Sequence, residues 1–347
     1  NIIWSQASSH AKFGGVMPSL AQRMHEERID WVIEKAIKNS LAKPDPALRE
    51  RFTMNNKSFD FQDIDAIAVT VGPGLSIALG VGIDRAKKLA IKYNKKLIAV
   101  NHLEGHLLSC LAGPNTENLK LKIENLKFPA LGLAVSGGNT LLVKINKIGS
   151  YETLAQTTDD ALGEALDKAA RMLGLGYPGG AILEKLARLH KVSAREPRGG
   201  NTTTYKLPIP IAGHEERRIF TYSGLKTAMG RLVESEKPLT KEKIINLAAC
   251  FQNIAFTHLI RVCSYVIVNC KLKIENLLVG GGVSANVELR KRLRQMGKKN
   301  GLQVSFPYSK KLTGDNAAMI GVAAYFKAQR GEFIEANKID RSPNLKI

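Results

Sequence analysis

His102-Leu103-Glu104-Gly105-His106 sets two imidazoles four residues apart. On a helix that spacing stacks them a turn apart on one face, where both can offer a nitrogen to a single divalent ion. A metalloprotease helix needs Glu directly after the first His, to activate the water on the metal. Here Leu103 holds that position and Glu104 lies about 100° round the helix, so the peptidase pattern fails. Two histidines need a third ligand, and a carboxylate is usual on harder metals. Asp315, in Thr313-Gly314-Asp315-Asn316 at an expected helix start, is the distant candidate, although Asp there equally suits an N-cap.

Two glycine-rich turns could cradle an anion. Val135-Ser136-Gly137-Gly138-Asn139-Thr140 lets successive N–H groups converge, with hydroxyls as further donors. Gly280-Gly281-Gly282-Val283-Ser284-Ala285-Asn286 falls at a strand-to-helix transition, where ligands gather in α/β folds. Neither matches a Walker loop or a clean dinucleotide fingerprint, and both also read as plain tight turns. Asp159, Asp160, Glu164 and Asp167 put carboxylates at helical spacing, so Asp160, Glu164 and Asp167 are expected to crowd one helix face. Lys168 and Arg171 are placed to answer part of that charge. Ordinary compensation of a helix dipole is the plainer account of the same acids. Tyr177-Pro178-Gly179-Gly180 and Phe220-Thr221-Tyr222-Ser223-Gly224-Leu225-Lys226 read as rigid turns feeding helices, with Tyr222 able to close over a ligand or simply fill a gap.

The elements that must position these residues alternate. Asn1–Gln6 reads as the tail of a strand with a turn-like segment through Gly15, then a helix from Ser19 to about Ile37. Strands are expected at Ile64–Thr70 and Leu97–Val100, with helices at Ser76–Tyr93 and Asn101–Leu111 between and after them. Lys43–Asp60 reads as a loop and Pro114–Phe128 as a lysine-rich surface excursion. Ala130–Val135 and Leu141–Ile145 form a hairpin around the Ser136 turn. Helices follow over Asp160–Leu173 and from Gly180 through Leu189. Lys191–Glu216 lacks periodicity and is the flap candidate. After a helical stretch over Thr240–Asn269 come a strand at Asn276–Val279, a helix at Ser284–Met296, a strand at Val304–Phe306 and a closing helix at Asp315–Gln329. Strand, glycine turn and helix thus occur twice, which is α/β logic with a duplicated look.

The chain has 347 residues, 44% apolar and 24% charged, enough for two cores of ordinary size. The expected division is 1–129 as a first α/β lobe, 130–330 as a second with an inserted helical segment and a flap near 191–216, and 331–347 as a tail; the last helix is allowed to cross back to the first lobe. Cys110, Cys250, Cys263 and Cys270 form no CxxC pair and no disulfide scaffold, which favours a reduced, intracellular protein. No run reaches the ~20 uninterrupted apolar residues of a membrane span, and no membrane partner is expected. Lys plus Arg number 51 against 31 Asp plus Glu, a formal charge of +20. The excess suits a polyanionic partner, and two runs concentrate it: Arg85, Lys87, Lys88, Lys92, Lys95 and Lys96, then Arg290, Lys291, Arg292, Arg294, Lys298 and Lys299, with Lys310 and Lys311 beyond.

At these same residues the chain resembles the tRNA N6-adenosine threonylcarbamoyltransferase family, formerly described as O-sialoglycoprotein endopeptidases. The resemblance runs from about Gly14 to Phe333. It is carried by Gly14-Gly15-Val16-x-Pro18, Val71-Gly72-Pro73-Gly74-Leu75, Asn101-His102-x-Glu104-Gly105-His106 and Val135-Ser136-Gly137-Gly138. Further on it includes Gly163-Glu164-x2-Asp167-Lys168, Tyr177-Pro178-Gly179-Gly180, Ser223-Gly224-Leu225-Lys226, Gly281-Gly282-Val283-Ser284-Ala285-Asn286 and Asp315-Asn316. Each is weak alone; nine in order are specific.

The resemblance implies an actin/Hsp70/sugar-kinase-like (ASKHA) fold, with duplicated ribonuclease-H-like lobes and a central ligand cleft. It implies one divalent metal, iron or zinc, on His102, His106 and Asp315. It implies threonylcarbamoyl-adenylate, or ATP or AMP, held by Val135, Ser136, Gly137, Gly138, Asp167, Gly180, Gly282 and Asn286. The reaction would move the threonylcarbamoyl group to N6 of adenosine 37 in tRNAs reading ANN codons and release AMP. Ser136, Asp160 and Glu164 are the candidates for direct catalytic work. The expected partners are tRNA and a separate synthase that supplies the adenylate, with a homodimer in an organellar member or accessory subunits in a bacterial one.

Two departures stand out. The family's opening strand with Glu-Thr-Ser-Cys-Asp does not precede Ile3, so the expectation is a chain shortened ahead of Asn1 and lacking one wall of the site. Asn139 also stands where the family usually has His. A non-catalytic paralogue that binds tRNA or a sister subunit is the competing reading, and a kinase of the same superfamily a third. The basic balance favours a mitochondrion or plastid over a bacterial cytoplasm.

Overall fold

The computed structural model describes residues 1–42, 61–113, 126–190, 205–269 and 274–347. The expected loop at 43–60, most of the excursion at 114–128, the first part of the 191–216 flap and Cys270 lie outside the described residues. The chain forms two compact units: unit 1 is Asn1–Gln6, Val16–Ser109 and Asn316–Ile347, and unit 2 is Ala7–Gly15 and Cys110–Asp315. The chain thus passes between the units at 6/7, 15/16, 109/110 and 315/316.

The first element is a short helix, α1 (Ala7–Ala11), in place of the expected strand tail and turn. That helix belongs to unit 2; unit 1 contains α2 (Pro18–Ala42), β1 (Ala66–Gly72), α3 (Ser76–Tyr93), β2 (Lys96–Asn101) and α4 (His102–Leu108). β1 and β2 pair in parallel, with Ala68 opposite Ile98 and Thr70 opposite Val100. The intervening helix is what a parallel pair requires. Val71, Ile83, Ala86, Ala90, Leu97 and Ile339 form its core. Ile339 belongs to the segment expected to be a tail. Instead, that segment is tied in: Ile334 pairs with Leu97, and the Ser342 N–H donates to Val71 O at 2.7 Å. A side chain at Gly72 would collide with Ser342 O, which is why the turn after β1 carries glycine there.

Unit 2 holds β3 (Ala130–Val135), β4 (Thr140–Lys147), β5 (Ser150–Thr157), α5 (Leu162–Met172), α6 (Gly180–Ala187), β6 (Ile219–Phe220), α7 (Ser223–Ser235), α8 (Lys241–Asn269), β7 (Asn276–Gly280), α9 (Val287–Lys299) and β8 (Gln303–Ser305). The six strands run in the order β6-β5-β4-β3-β7-β8. β3 and β4 are the expected antiparallel hairpin, and β3 pairs in parallel with β7. β3 and β7 are buried along their whole length, as continuous apolar strands of a covered sheet must be. β5 has no counterpart in the sequence reading, because Ser150–Thr157 lacks an apolar alternation; its register comes from β4, with Ile145 opposite Tyr151.

By length and composition α8 is apolar enough to cross a membrane. Leu247, Phe251, Phe256, Leu259 and Val262 are buried in the unit 2 core, and a helix that packs on several sides must be apolar on several sides. The last helix, α10 (Ala317–Gln329), belongs to unit 1 and packs on α4 and the two-stranded sheet.

Candidate functional site

The two histidines are placed by a capped helix. Asn101 ends β2 and caps α4, its side-chain oxygen accepting the Leu103 N–H at 2.8 Å and the Glu104 N–H at 3.4 Å. Its amide nitrogen donates to Lys346 O at 2.9 Å, so the cap is itself anchored. The cap starts the helix at His102, and the i, i+4 spacing does the rest: the rings meet edge to face with centroids 4.6 Å apart. His106 is fully buried and His102 partly so.

Asp315 immediately precedes Asn316, whose side chain caps α10 by accepting the Met319 N–H at 3.0 Å. α10 lies close on α4; a β-carbon at Gly105 would come 2.9 Å from Ile320 Cδ1. This approach delivers the third ligand. One donor atom from each of His102, His106 and Asp315 falls within 4.8 Å of the others. Two imidazoles and one exposed carboxylate at that separation fit a divalent transition ion with coordination positions left for a ligand.

Within unit 2 the Ser136 turn is closed by its own atoms. The Ser136 N–H donates to Asn139 O at 2.8 Å, and the Asn139 N–H donates to Ser136 Oγ at 3.1 Å. Gly137 and Gly138 are exposed, with open space where a β-carbon would stand. Two distant glycines back the turn. The Gly163 N–H donates to Ser136 O at 3.2 Å, and a β-carbon on Gly163 would lie 2.5 Å from that oxygen. Gly281, at φ +91°, presses against Val135 O. The two glycine turns predicted as anion cradles, together with the start of α5, are therefore packed around consecutive carbonyls.

The three carboxylates do not all sit on one helix face as expected: Asp160 lies ahead of the helix, and it meets Glu164 through a shared lysine. Asp160 precedes α5, which begins only at Leu162, and bonds Lys168 at 2.5 Å and Lys226 at 2.9 Å. Burial raises its pKa, but the two lysines outweigh this and hold it below the usual carboxylate range. Glu164 shares Lys168 at 2.8 Å and keeps its side chain 45% exposed. Asp167 turns to the next loop: Oδ1 accepts the Gly179 N–H at 2.9 Å and the Gly180 N–H at 2.7 Å. Burial keeps its carboxyl above the ordinary value, and Glu164 adds to this against the two amides. Arg171 leaves the cluster altogether and donates to Gly14 O at 3.2 Å.

Asn286 is buried and caps α9. Its oxygen accepts the Leu289 N–H at 3.1 Å, and its nitrogen donates to Gln252 Oε1 at 2.9 Å. Gly282 beside it is exposed and unobstructed. Sequence reasoning missed Gln252, which reaches Asn286 from the middle of α8 and carries no motif. It also left Lys226 without a role, although Ser223-Gly224-Leu225-Lys226 was a usable signal. Tyr222 is fully buried and edge-on to His258, with ring centroids 5.3 Å apart, so it fills a gap and does not close over a ligand.

Comparison with known proteins identifies the family. The family described as tRNA N6-adenosine threonylcarbamoyltransferase matches residues 1–322. A protein of that name from Clostridium kluyveri is 40% identical, over 100% of this chain and 90% of its own length. The one from Bartonella henselae is 38% identical, over 96% of this chain and 83% of its own. Among solved structures, full-length HypF, crystallised in a phosphate- and nucleotide-bound form, superposes with a TM-score of 0.52 at 17% identity, covering 81% of this chain and 41% of that one. The mixed α/β architecture with an ASKHA-like fold is in line with that likeness. This chain belongs to the tRNA N6-adenosine threonylcarbamoyltransferase family.

Proposed function

We propose that the protein transfers an L-threonylcarbamoyl group from threonylcarbamoyl-adenylate to N6 of adenosine 37 in tRNAs that read ANN codons. The new bond joins N6 to the carbamoyl carbon, the bond from that carbon to the phosphate oxygen breaks, AMP leaves, and N6 loses a proton. The observation that carries the reading is the convergence of His102, His106 and Asp315 in a chain matched to the family from residue 1 to 322. A non-catalytic paralogue has no physical need to keep that donor set.

His102, His106 and Asp315 would hold a divalent ion, iron or zinc in this reading, and when bound it would supply Lewis-acid polarisation and orientation of the acyl donor. The exposed N–H groups of Gly137 and Gly138 meet the donor's phosphate or carbonyl oxygens, which the Ser136 hydroxyl favours by holding the turn closed. Asp167 uses Oδ1 on the Gly179–Gly180 backbone and offers its second oxygen to the ribose. Gly282 gives the adenosine room and Asn286 a polar edge. Of the two base candidates, Asp160 is committed to two lysines, so the half-exposed Glu164 is the better placed to accept a proton.

The reading extends to a separate synthase that supplies the adenylate. It also extends to a second copy or accessory subunits, which gel filtration with and without candidate subunits separates. The compartment is part of the proposal as well: the charge of +20 supports an organelle, the Clostridium and Bartonella relatives a bacterial cell, and fractionation decides. The activity is tested by incubating the protein with threonylcarbamoyl-adenylate and unmodified tRNA, then analysing the digested nucleosides by mass. A threonylcarbamoylated adenosine is expected; its absence, with and without accessory subunits, would overturn the assignment in favour of the non-catalytic paralogue.

A further inference from the structure

The two basic runs have different fates in the fold. Within unit 1 the first run, on α3 and its exit, is partly engaged, while Lys88 stays exposed. Arg85 pairs with Asp30 at 2.6 Å, Lys95 donates to Gln62 O at 2.9 Å, and Lys92 and Lys96 lie over the rings of Tyr93 and Phe333. On α9 the inward cations meet polar partners. Arg292 reaches Glu288 at 2.8 Å and Asn253 Oδ1 at 2.6 Å, and Arg290 donates to Ser284 O at 2.6 Å. Lys291, Arg294 and Lys298 stand exposed at i, i+3 and i+7, which is one stripe of a helix, with Lys299 beside it. Glu288, the only acid on α9, is already taken by Arg292.

Phe306 gives this stripe a fixed edge. The guanidinium groups of Arg290 and Arg294 both lie over its ring, at 4.9 and 5.1 Å. Burial, and then the charge of Arg294, hold the pKa of Arg290 below its ordinary value. Beside the stripe, a groove of about 320 Å³ between α8 and α9 is lined by Thr257, Arg261, Ser264, Arg292, Gln295 and Lys299. From Phe306 the chain runs through exposed Lys310 and Lys311 to Asp315, only five residues after Lys310, a reach of at most ~18 Å.

We infer that the outer face of α9, with Lys291, Arg294 and Lys298 along it and Phe306 fixing its edge, is the surface on which the phosphate backbone of the RNA substrate lies. The stripe spans about 10 Å, a length that covers two or three successive phosphates of one strand. Arg294, held over an aromatic ring, carries a guanidinium suited to two-pronged contact with a phosphate. The lysines on either side need no fixed geometry. A backbone lying here would be led along Lys310 and Lys311 toward the residue that supplies the carboxylate of the metal triad. The inference rests on the tRNA reading above and adds to it the surface that carries the affinity.

The experiment measures binding of an unmodified tRNA transcript to the full chain across a salt series, for wild type, for Lys291→Gln/Arg294→Gln/Lys298→Gln, and for Lys92→Gln/Lys95→Gln/Lys96→Gln at the end of α3 and the start of β2 (the α3 variant). The slope of log affinity against log salt is expected to fall by about 2 in the α9 variant, at roughly 0.7–0.9 per lost phosphate contact, and to hold in the α3 variant. An unchanged slope in the α9 variant, or a loss confined to the α3 variant, would overturn the inference. So would α9-dependent binding to mixed phosphatidylserine–phosphatidylcholine vesicles with none to tRNA. Wild-type protein that binds tRNA through α9 yet makes no modified nucleoside would defeat the proposed activity and leave the surface standing. An active enzyme with an indifferent α9 would do the reverse.

Discussion

Gly281 lies against the carbonyl of Val135, at a backbone φ of +91°, so closely that a β-carbon would overlap the oxygen. Gly282, the next residue, has nothing within 4 Å of the same position. Two adjacent glycines of one motif therefore have different reasons to be there. The first lets the chain leave β7 close against Val135; the second faces open space.

Gly281→Ala must carry both the left-handed backbone and the overlap, and a cost of about 2 kcal/mol or more is expected. Gly282→Ala should leave the melting temperature within a degree or two and act on adenine-nucleotide affinity instead. Thermal unfolding and nucleotide titration of both variants check this. Equal melting losses would show that the turn shifts as a unit.

Metal content should follow the triad. His102→Ala, His106→Ala and Asp315→Ala are each expected to lower the metal per chain found by elemental analysis, since two remaining ligands rarely hold a labile ion. His106→Ala should also destabilise the protein, because its ring is fully buried; Asp315→Ala, at an exposed position, should not. Wild-type metal content in His102→Ala would remove the triad from consideration.

His258 gives a pH dependence with a definite sign. It is buried beside Tyr222, and its Nε2 accepts the Thr221 N–H at 3.1 Å, which requires that nitrogen to be unprotonated. Burial lowers its pKa from 6.5 to about 4. Between those values the unfolded chain binds the proton and the folded one does not, so stability falls as pH drops from 6.5 toward 4, by about 3 kcal/mol at most. Denaturant midpoints for wild type and His258→Gln over this range test it; the variant should show a flatter acid limb.

Asn286→Ala removes a helix cap and leaves Gln252 without its buried partner. A loss of about 1–3 kcal/mol in stability is expected. Gln252→Ala should cost less, because the bond from the Leu289 N–H to Asn286 remains. If Asn286 also meets the adenosine, Gln252→Ala should weaken nucleotide binding through misorientation, while a cap-only role would leave affinity unchanged. Calorimetry on both variants separates the two.

Much of the site was legible in the chain because its determinants are local. His102 and His106 meet through helical spacing alone, Asn101 and Asn316 are capping residues in capping places, and β3, β4 and the turn at Ser136 follow from apolar runs around glycine. The ordered motifs pointed to the family for the same reason, as each is a short stretch whose residues act on a nearby backbone. What local pattern could not decide was which side chains meet across long separations. Asp160 and Asp167 share a helical spacing in sequence, yet one turns to Lys226 and the other to Gly179 and Gly180, because α5 starts two residues after Asp160. β5 is held by pairing with β4 and not by its own composition, and the segment after α10 is held by Val71 and Leu97, which lie more than 200 residues earlier. The two basic runs read alike as strings of lysine and arginine; only the packed structure shows that Arg85 meets Asp30, with Lys92 and Lys96 over Tyr93 and Phe333, while Lys291, Arg294 and Lys298 form an exposed stripe along α9. Spacing along a helix fixes which residues share a face, and tertiary packing alone decides what that face meets.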